Sequence, residues 1–290
     1  MLEIKTLDKI PLGLLHKCIV EVMGNNPNAS KMTPETVMRM NTMRGVEYRS
    51  SICAMDGGRM AAFILNSTGM WENKKTAYNV GTGVIPKYRG TQLSQELMIK
   101  VKELLKKHSF QTYMLDVLSS NEKAREVYRG IGFAETRNLM TMFLSGRPLS
   151  VVRQTIEVQE ANKERWVEMR SIMLSDQSAM PSWLNSWDIF FRMPEVYTVC
   201  YATIFEEVAG IAVFTAASGE IHQLWVKSQL LNSGIGSALM AYIAEHSKAS
   251  GNLIWHNIDT KASGLLSFLR GRGFEERGLK AEMSMPLYAN

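Results

Sequence analysis

The segment Val84-Ile85-Pro86-Lys87-Tyr88-Arg89-Gly90-Thr91-Gln92-Leu93-Ser94, taken with Asn121-Glu122-Lys123-Ala124-Arg125-Glu126-Val127-Tyr128-Arg129-Gly130-Ile131-Gly132-Phe133, decides how this chain folds. The first stretch reads as a strand ending at a proline, then a basic turn containing glycine, then a helix. A strand that turns tightly into a helix leaves the first helical N–H groups without partners. Those groups and the helix dipole favour an anion. Gly90 lets the backbone approach a ligand closely, and Arg89 adds positive charge. The second stretch begins at Asn121, a helix cap after Ser119-Ser120. Ala124, Val127, Tyr128 and Ile131 fall at helical spacing on one face. Gly132 suits the position that ends a helix. Taken alone, Tyr128 on that inward face is simplest as a core residue.

The chain repeats itself, and a repeat governs the whole fold. Val84 to Met98 reads VIPKYRGTQLSQELM, and Val226 to Met240 reads VKSQLLNSGIGSALM, an offset of 142 residues. Gly132-Phe133 recurs as Gly273-Phe274, an offset of 141. Each half has the length of one ordinary domain. The expected domains are therefore residues 1–145 and 146–290, with Ser145-Gly146-Arg147-Pro148-Leu149 as the linker.

Together the two stretches resemble the signature motifs of the GNAT superfamily of N-acetyltransferases, strongly in the first half and partly in the second. The family's turn pattern is Arg/Gln-x-x-Gly-x-Gly/Ala. Arg89, Gln92 and Ser94 stand at those positions, so Gln92 departs from Gly. The resemblance implies a mixed α/β (α+β) architecture of two tandem GNAT folds. Each would be a central, mostly antiparallel sheet with helices on both faces. It also implies acetyl-coenzyme A as cosubstrate, no metal, and transfer of the acetyl group to a primary amine by direct attack. Val84, Arg89, Gly90, Thr91, Gln92, Leu93, Ser94 and Asn121 would then hold the cofactor, with a backbone N–H near Val84 polarising the thioester carbonyl. Tyr128 would protonate the departing thiolate.

The halves differ where chemistry would sit. The second has glycines at Gly234 and Gly236, which would serve a cofactor cradle, but Leu231 replaces Arg89. Leu269 takes the place of Tyr128 and Ala262 that of Asn121, so this half lacks a proton donor and is expected to be degenerate or supporting. Charge runs the same way: residues 1–145 carry 20 Lys+Arg and 13 Asp+Glu, a net +7, against a whole-chain +5. A basic half suits a polyanionic cofactor. The base that takes the amine proton is unassigned. Asp116 is a candidate, although a plain strand polar group is the stronger reading, and Tyr78 and Asn79 would line the acceptor channel.

The acceptor side is shaped in this family by the segment between the first two helices, here Met23–Met32 and Pro181–Trp187. Five of the six Trp residues lie in the second half. An aromatic loop can cover a cation, but such residues more often pack a core. The acceptor is a small molecule or a peptide amine. A non-catalytic acyl-coenzyme A sensor built on the same fold is the alternative.

Composition is that of a globular chain, with 46% apolar and 21% charged residues. Apolar runs are too short to span a membrane, and residues 1–5 lack a signal-peptide core. Cys18, Cys53 and Cys200 show no Cys-x-x-Cys spacing and suit free thiols in a reducing compartment. The expected protein is cytoplasmic, a monomer or homodimer, with no nucleic-acid or membrane partner and no metal.

Periodicity predicts strands at 2–7, 50–55, 59–65, 76–85 and 112–118, and helices at 10–23, 33–43, 91–107 and 122–131. Glu135–Phe143 is expected to close the first sheet. The second half repeats this order: strand 155–158, helix 161–174, strands near 197–205, 208–214 and 221–226, helix 235–248, strand 253–258, helix 262–271, and a final strand.

Overall fold

The computed structural model describes residues 2–146, 156–176 and 180–288. In chain order the first elements are β1 (Glu3–Thr6), α1 (Leu12–Met23), α2 (Pro34–Met43), β2 (Ile52–Asp56), β3 (Arg59–Trp71), β4 (Lys74–Val84), α3 (Leu93–Lys107), β5 (Thr112–Leu118), α4 (Glu122–Ile131) and β6 (Ala134–Leu144). Then follow β7 (Val158–Glu160), α5 (Trp166–Asp176), α6 (Trp187–Phe190), β8 (Thr198–Ile204), β9 (Glu207–Thr215), β10 (Glu220–Val226), α7 (Ile235–His246), β11 (Leu253–Asp259), α8 (Ser263–Arg270) and β12 (Glu275–Pro286). Residues 147–149 of the expected linker and Thr155 of the expected strand 155–158 lie outside the described residues. No helix among the described residues is long and apolar enough to cross a membrane.

The chain forms two compact units, and their boundaries differ from the sequence halves. Unit 1 is Met1–Thr136 with Ala281–Asn290, and unit 2 is Arg137–Lys280. In unit 1 the strand order is β1-β2-β3-β4-β5 followed by the end of β12. Neighbours β1 to β4 are antiparallel, and β4 runs parallel to β5. In unit 2 the order is β6-β11-β10-β9-β8-β7, with only β10 and β11 parallel.

The strand expected to close the first sheet therefore works elsewhere. Residues 139–144 of β6 pair antiparallel with β11, Leu144 opposite Leu253 and Leu139 opposite Asp259. The place beside β5 is taken by the last strand of the chain. Met142 and Leu144 are buried with Leu253 and Trp255. Ala281, Met283 and Met285 are buried with Tyr113 and Leu115. Both strands were expected from the order of elements, but alternation of apolar and polar residues carries no information about which sheet edge a strand joins.

Period 2 also explains why helices cover both faces of the unit 1 sheet. Ile52, Ala54, Ala62 and Ile64 face the core under α3 and α4, with Leu97, Val101 and Leu105. Cys53, Met55, Phe63 and Leu65 face the opposite core with Leu15 and Cys18 of α1. Thr33 caps α2 by accepting from Thr36 N, with Pro34 in the first turn. The β3–β4 pairing runs farther than the predicted 59–65 strand, to Trp71 opposite Lys74. Glu72 and Asn73 both take positive φ, 47° and 60°, the two-residue turn that matches strand twist.

Candidate functional site

The turn between β4 and α3 is held from beneath. Ile85 N donates to Ala61 O, and Pro86–Tyr88 makes a 3-10 turn closed by Arg89 N donating to Pro86 O. Gly90 and Gln92 then take left-handed conformations, φ 81° and 63°. Leu93 anchors the first turn of α3 in the core, 3% exposed. No side chain caps this helix end, so the leading N–H groups keep their donor capacity. A Cβ at Gly90 would meet nothing within 4 Å. Thr91, Gln92 and Ser94 are exposed around this turn, and the Thr91 hydroxyl donates to Tyr88 O at 2.7 Å. Val84 pairs with Ala62 at the end of β4.

Arg89 does more than contribute charge. Its Nε donates to Val84 O at 3.1 Å and a terminal nitrogen donates to Val22 O at 2.9 Å. The guanidinium thus straps the turn to β4 and to the end of α1. Asn121 likewise acts on its own helix, its Oδ1 accepting from Ala124 N at 3.2 Å.

Tyr128 sits on the inward face of α4, half-buried, with its ring edge-on to Phe133 at 5.8 Å. Burial pushes the phenol above its ordinary value, and a hydrogen bond with the Thr82 side chain pulls it part of the way back. The phenol is therefore protonated at neutral pH, the form a proton donor needs. Thr82 lies where β4 has left β5: the parallel pairing runs from Thr76–Thr112 to Asn79–Leu115 and ends there. Val80 is the extra residue of a bulge, because Leu65 faces Gly81 while Asn66 faces Asn79.

Behind Thr82 runs a buried polar chain. Asn79 Nδ2 donates to the Thr82 hydroxyl at 2.9 Å and lies 3.3 Å from the Tyr113 hydroxyl. Tyr113 donates to Asn66 Oδ1 at 2.8 Å, and Asn66 Nδ2 donates to Ser50 O at 2.6 Å. Asp116 is engaged by the hydroxyl of fully buried Tyr78, and this carboxylate helps to push the Tyr78 phenol well above its ordinary value, after burial itself. All three cysteines are buried and free, and burial pushes the Cys18 thiol up to about 12 and Cys53 to about 11. They stay protonated at neutral pH and are poor nucleophiles.

Unit 2 repeats the turn almost dihedral for dihedral. Leu231 has φ −60° and ψ 145°, against −68° and 143° for Arg89. Asn232 and Gly234 are left-handed at 64° and 92°, the counterparts of Gly90 and Gln92. Gly236 also serves the packing of unit 2. A Cβ there would lie 3.1 Å from the Phe268 ring, so this glycine admits an aromatic side chain of α8 against α7. Leu269 is fully buried in the core, and no hydroxyl replaces Tyr128 at that position.

Unit 2 also opens earlier. Only Glu220–Ile254 and Ile221–Trp255 pair between β10 and β11, and His222 is the bulged residue, 142 positions after Val80. Beyond this point lies a cleft of about 1160 Å³, bordered by the 231–237 turn, Gln223, Trp225, Ser182, Phe268 and Arg272. His222 is fixed on its floor, Nε2 2.9 Å from the Thr215 hydroxyl and Nδ1 3.3 Å from Asn185 Oδ1. Burial, then repulsion from His256, pushes its pKa down to about 3.

The residue that sequence reasoning missed is Arg272. It stands just past α8, stacks on the Phe268 ring at 3.5 Å, and donates to the Ser237 hydroxyl in the first turn of α7. Unit 2 thus brings an arginine to its turn from another element, where the local motif has only Leu231. Nothing in the motif spacing signals this, because the counterpart position in the first half is Ile131.

Comparison with known proteins agrees with this duplicated geometry. The model of the acetyltransferase (GNAT) family matches twice, over residues 24–133 and 159–274. A tandem GNAT protein from the clavulanic acid biosynthesis pathway is similar in structure, with TM-score 0.73, 14% identity, and all of both chains covered. A GCN5-related N-acetyltransferase from Sphaerobacter thermophilus aligns with TM-score 0.72 and 14% identity, over 100% of this chain and 96% of that one. Another from Anabaena variabilis aligns with TM-score 0.62 and 13% identity, over 99% and 73%. No curated protein matches the chain.

Proposed function

Because this chain belongs to the GNAT family of acetyltransferases, we propose that it moves an acetyl group from acetyl-coenzyme A to a primary amine, with unit 1 as the catalytic unit and Tyr128 as the general acid. The observation that carries this reading is the position of the Tyr128 hydroxyl. It reaches Thr82 on the stretch of β4 that has parted from β5, and it is held protonated there.

The residues of the turn fit a diphosphate. The α3 N-terminus is uncapped, the backbone at Gly90 and Gln92 curls left-handed, and the space over Gly90 is open. Backbone N–H groups of Leu93 and Ser94, with the helix dipole, would take the anion, while Arg89 keeps the turn strapped in place. When bound, acetyl-coenzyme A supplies an activated acyl group and a thiolate leaving group. The protein's part is to hold both reactants in line, which is worth several orders of magnitude in rate, and to deliver a proton from Tyr128 Oη. Asn79, through Thr82, fixes the orientation of that hydroxyl. Asp116 is already tied to Tyr78, so a water on the Asn79 side is the better route for the amine proton. Unit 2 supports the fold in this reading, and three reduced, buried thiols accord with work in the cytoplasm.

The test is release of free thiol from acetyl-coenzyme A across a panel of amines. Acceptor-dependent release, reduced in Tyr128→Phe, supports the assignment. Release that is equal in the variant removes Tyr128 from the mechanism. No release with any amine, in protein that binds acetyl-coenzyme A, favours a sensor.

A further inference from the structure

We infer that Asn66 and Tyr113 are positioning residues for the transfer. With Asn79 and Thr82 they form a chain of hydrogen bonds that runs in one sense only. It makes Tyr128 Oη accept a hydrogen from Thr82 and leaves the hydrogen of Tyr128 itself for the departing thiolate. This rests on the reading of Tyr128 as general acid and adds what decides where its hydrogen points.

The sense of the chain follows from what each atom can do. Ser50 O can only accept, so Asn66 presents its amide nitrogen there, at 2.6 Å, and its Oδ1 to Tyr113, at 2.8 Å. That oxygen also can only accept, so Tyr113 gives it the one hydrogen it has. The Tyr113 oxygen is left to accept, and Asn79 presents its nitrogen, 3.3 Å away. The same nitrogen donates to Thr82 Oγ1 at 2.9 Å. Thr82 therefore accepts from Asn79 and gives its own hydrogen to Tyr128, and a hydroxyl that accepts is the stronger donor for it. The Tyr128 phenol agrees, since the Thr82 contact lowers its pKa, as a donor to the phenolate does. The start of the chain is pinned through the backbone of Asn66, whose N donates to Ser51 Oγ at 2.9 Å and whose O accepts from Glu47 N at 2.7 Å.

The bulge at Val80 is what lets Asn79 and Thr82 share this chain. Residues three apart on a regular strand face opposite sides. The extra residue turns Thr82 back to the side of Asn79: Asn66 lies opposite Asn79 and Ile64 opposite Thr82, and 64 and 66 are on one face of β3. Ile64 is buried there with Tyr113, and Tyr128 packs against the same core.

Unit 2 shows that the fold itself does not need the chain. Its matching registers put Phe214 in the place of Asn66, Ile221 in that of Asn79, Leu224 in that of Thr82 and Leu253 in that of Tyr113. Phe214, Ile221 and Leu253 are buried in one apolar core with Leu269, the counterpart of Tyr128. The bulge persists at His222, yet all four polar side chains are absent along with the tyrosine. Apolar groups can replace both partners of a buried hydrogen bond at little cost. The polar chain therefore goes with the Tyr128 hydroxyl rather than with the sheet.

In the transfer, the amine nitrogen bonds to the acyl carbon and the C–S bond breaks. The sulfur keeps the electron pair and takes the Tyr128 proton, and the nitrogen gives a proton to water. The hydrogen of Thr82 stays on Thr82 and stabilises the phenolate. The amides of Asn66 and Asn79 orient but do not pass a proton, so the phenolate recovers its own from water on the open side.

Two measurements on the full-length protein test this: steady-state turnover, and fluorine NMR titration of protein made with 3-fluorotyrosine, in which the Tyr128 signal is the one lost in Tyr128→Phe. Thr82→Val keeps the side-chain shape and removes the donor. It should lower kcat about tenfold, the worth of one hydrogen bond, leave KM unchanged, and move the Tyr128 titration to higher pH. Tyr113→Phe should do the same to a smaller extent. Thr82→Ser should recover the rate lost in Thr82→Val. In a Tyr128→Phe background neither Thr82→Val nor Tyr113→Phe should lower kcat further. Circular dichroism and melting confirm that each variant is folded. An unmoved Tyr128 titration in Thr82→Val overturns the inference, and so do losses that add to that of Tyr128→Phe. The titration reads the chain whether or not an acceptor amine has been found. Wild-type turnover in Tyr128→Phe, with the titration still moved by Thr82→Val, would keep the polarised chain and remove the general-acid reading.

Discussion

Gln92 and Gly234, 142 residues apart, hold the same left-handed backbone conformation at the entrance of their helices, φ 63° and 92°. The turn imposes that conformation whatever residue stands there. A non-glycine residue in it bears about 1–2 kcal/mol of steric strain, which glycine avoids at a smaller cost in unfolded-state entropy. Gln92→Gly should therefore raise stability slightly, by up to about 1 kcal/mol, and Gly234→Ala should lower it by about 1–2 kcal/mol. Urea denaturation of the two variants checks this. Equal and opposite effects are not expected, and a destabilised Gln92→Gly would show that the Gln92 side chain contributes contacts of its own.

Gly236 is required by its neighbour Phe268. With a Cβ placed 3.1 Å from the ring, Gly236→Ala should cost about 1 kcal/mol and push Phe268, with the stacked Arg272, away from α7. In a Phe268→Leu background the same change should be nearly neutral. A double-mutant cycle measures the coupling; additive effects would show that the ring moves freely.

Tyr128→Phe removes the hydroxyl and leaves the edge-on packing against Phe133 intact. Turnover should fall about a hundredfold or more, and coenzyme A affinity should change little. Burial holds the phenol above its ordinary value of 10, so loss of the acid form should depress the wild-type rate only in strongly alkaline solution. An alkaline limb of unchanged position in Tyr128→Phe would assign that limb to another group.

His222 makes the protein sensitive to acid. Its pKa is pushed from 6.5 to about 3 in the folded state, so the unfolded chain binds a proton that the folded chain refuses. The stabilising effect is complete above pH 6.5 and is lost progressively as the pH falls towards 3. Between pH 7 and pH 5 this residue alone should remove about 2 kcal/mol of stability. His222→Gln should flatten that slope, whatever it costs at pH 7. Chemical denaturation at the two pH values provides the comparison, and an unchanged slope would show that His222 gains a compensating partner on protonation.

Much of this protein is written in local sequence. The Pro86-to-Ser94 stretch specifies strand, turn and helix because proline, glycine and a buried Leu93 act within a few residues of themselves. Asn121 and Gly132 delimit α4 for the same reason, one accepting from Ala124 N and the other left-handed at φ 112°. The repeat follows directly, since two similar sequences meet the same local constraints. The absence of a hydroxyl at Leu269 is likewise a matter of side-chain identity.

What only the tertiary structure decided is which distant parts meet. Backbone hydrogen bonds along a strand edge are the same for every sequence, so nothing in residues 139–144 states that they pair with β11, or that Ala281–Pro286 lies beside β5. Arg272 reaches the α7 turn because α8 packs its Phe268 against Gly236, an encounter between residues more than thirty positions apart. In sequence Arg89 reads as an anion ligand, and only the fold shows that its guanidinium also reaches Val22 O and Val84 O. Local propensity sets the elements and their buried faces; pairing partners and the destinations of long, charged side chains are settled only when the cores close around them.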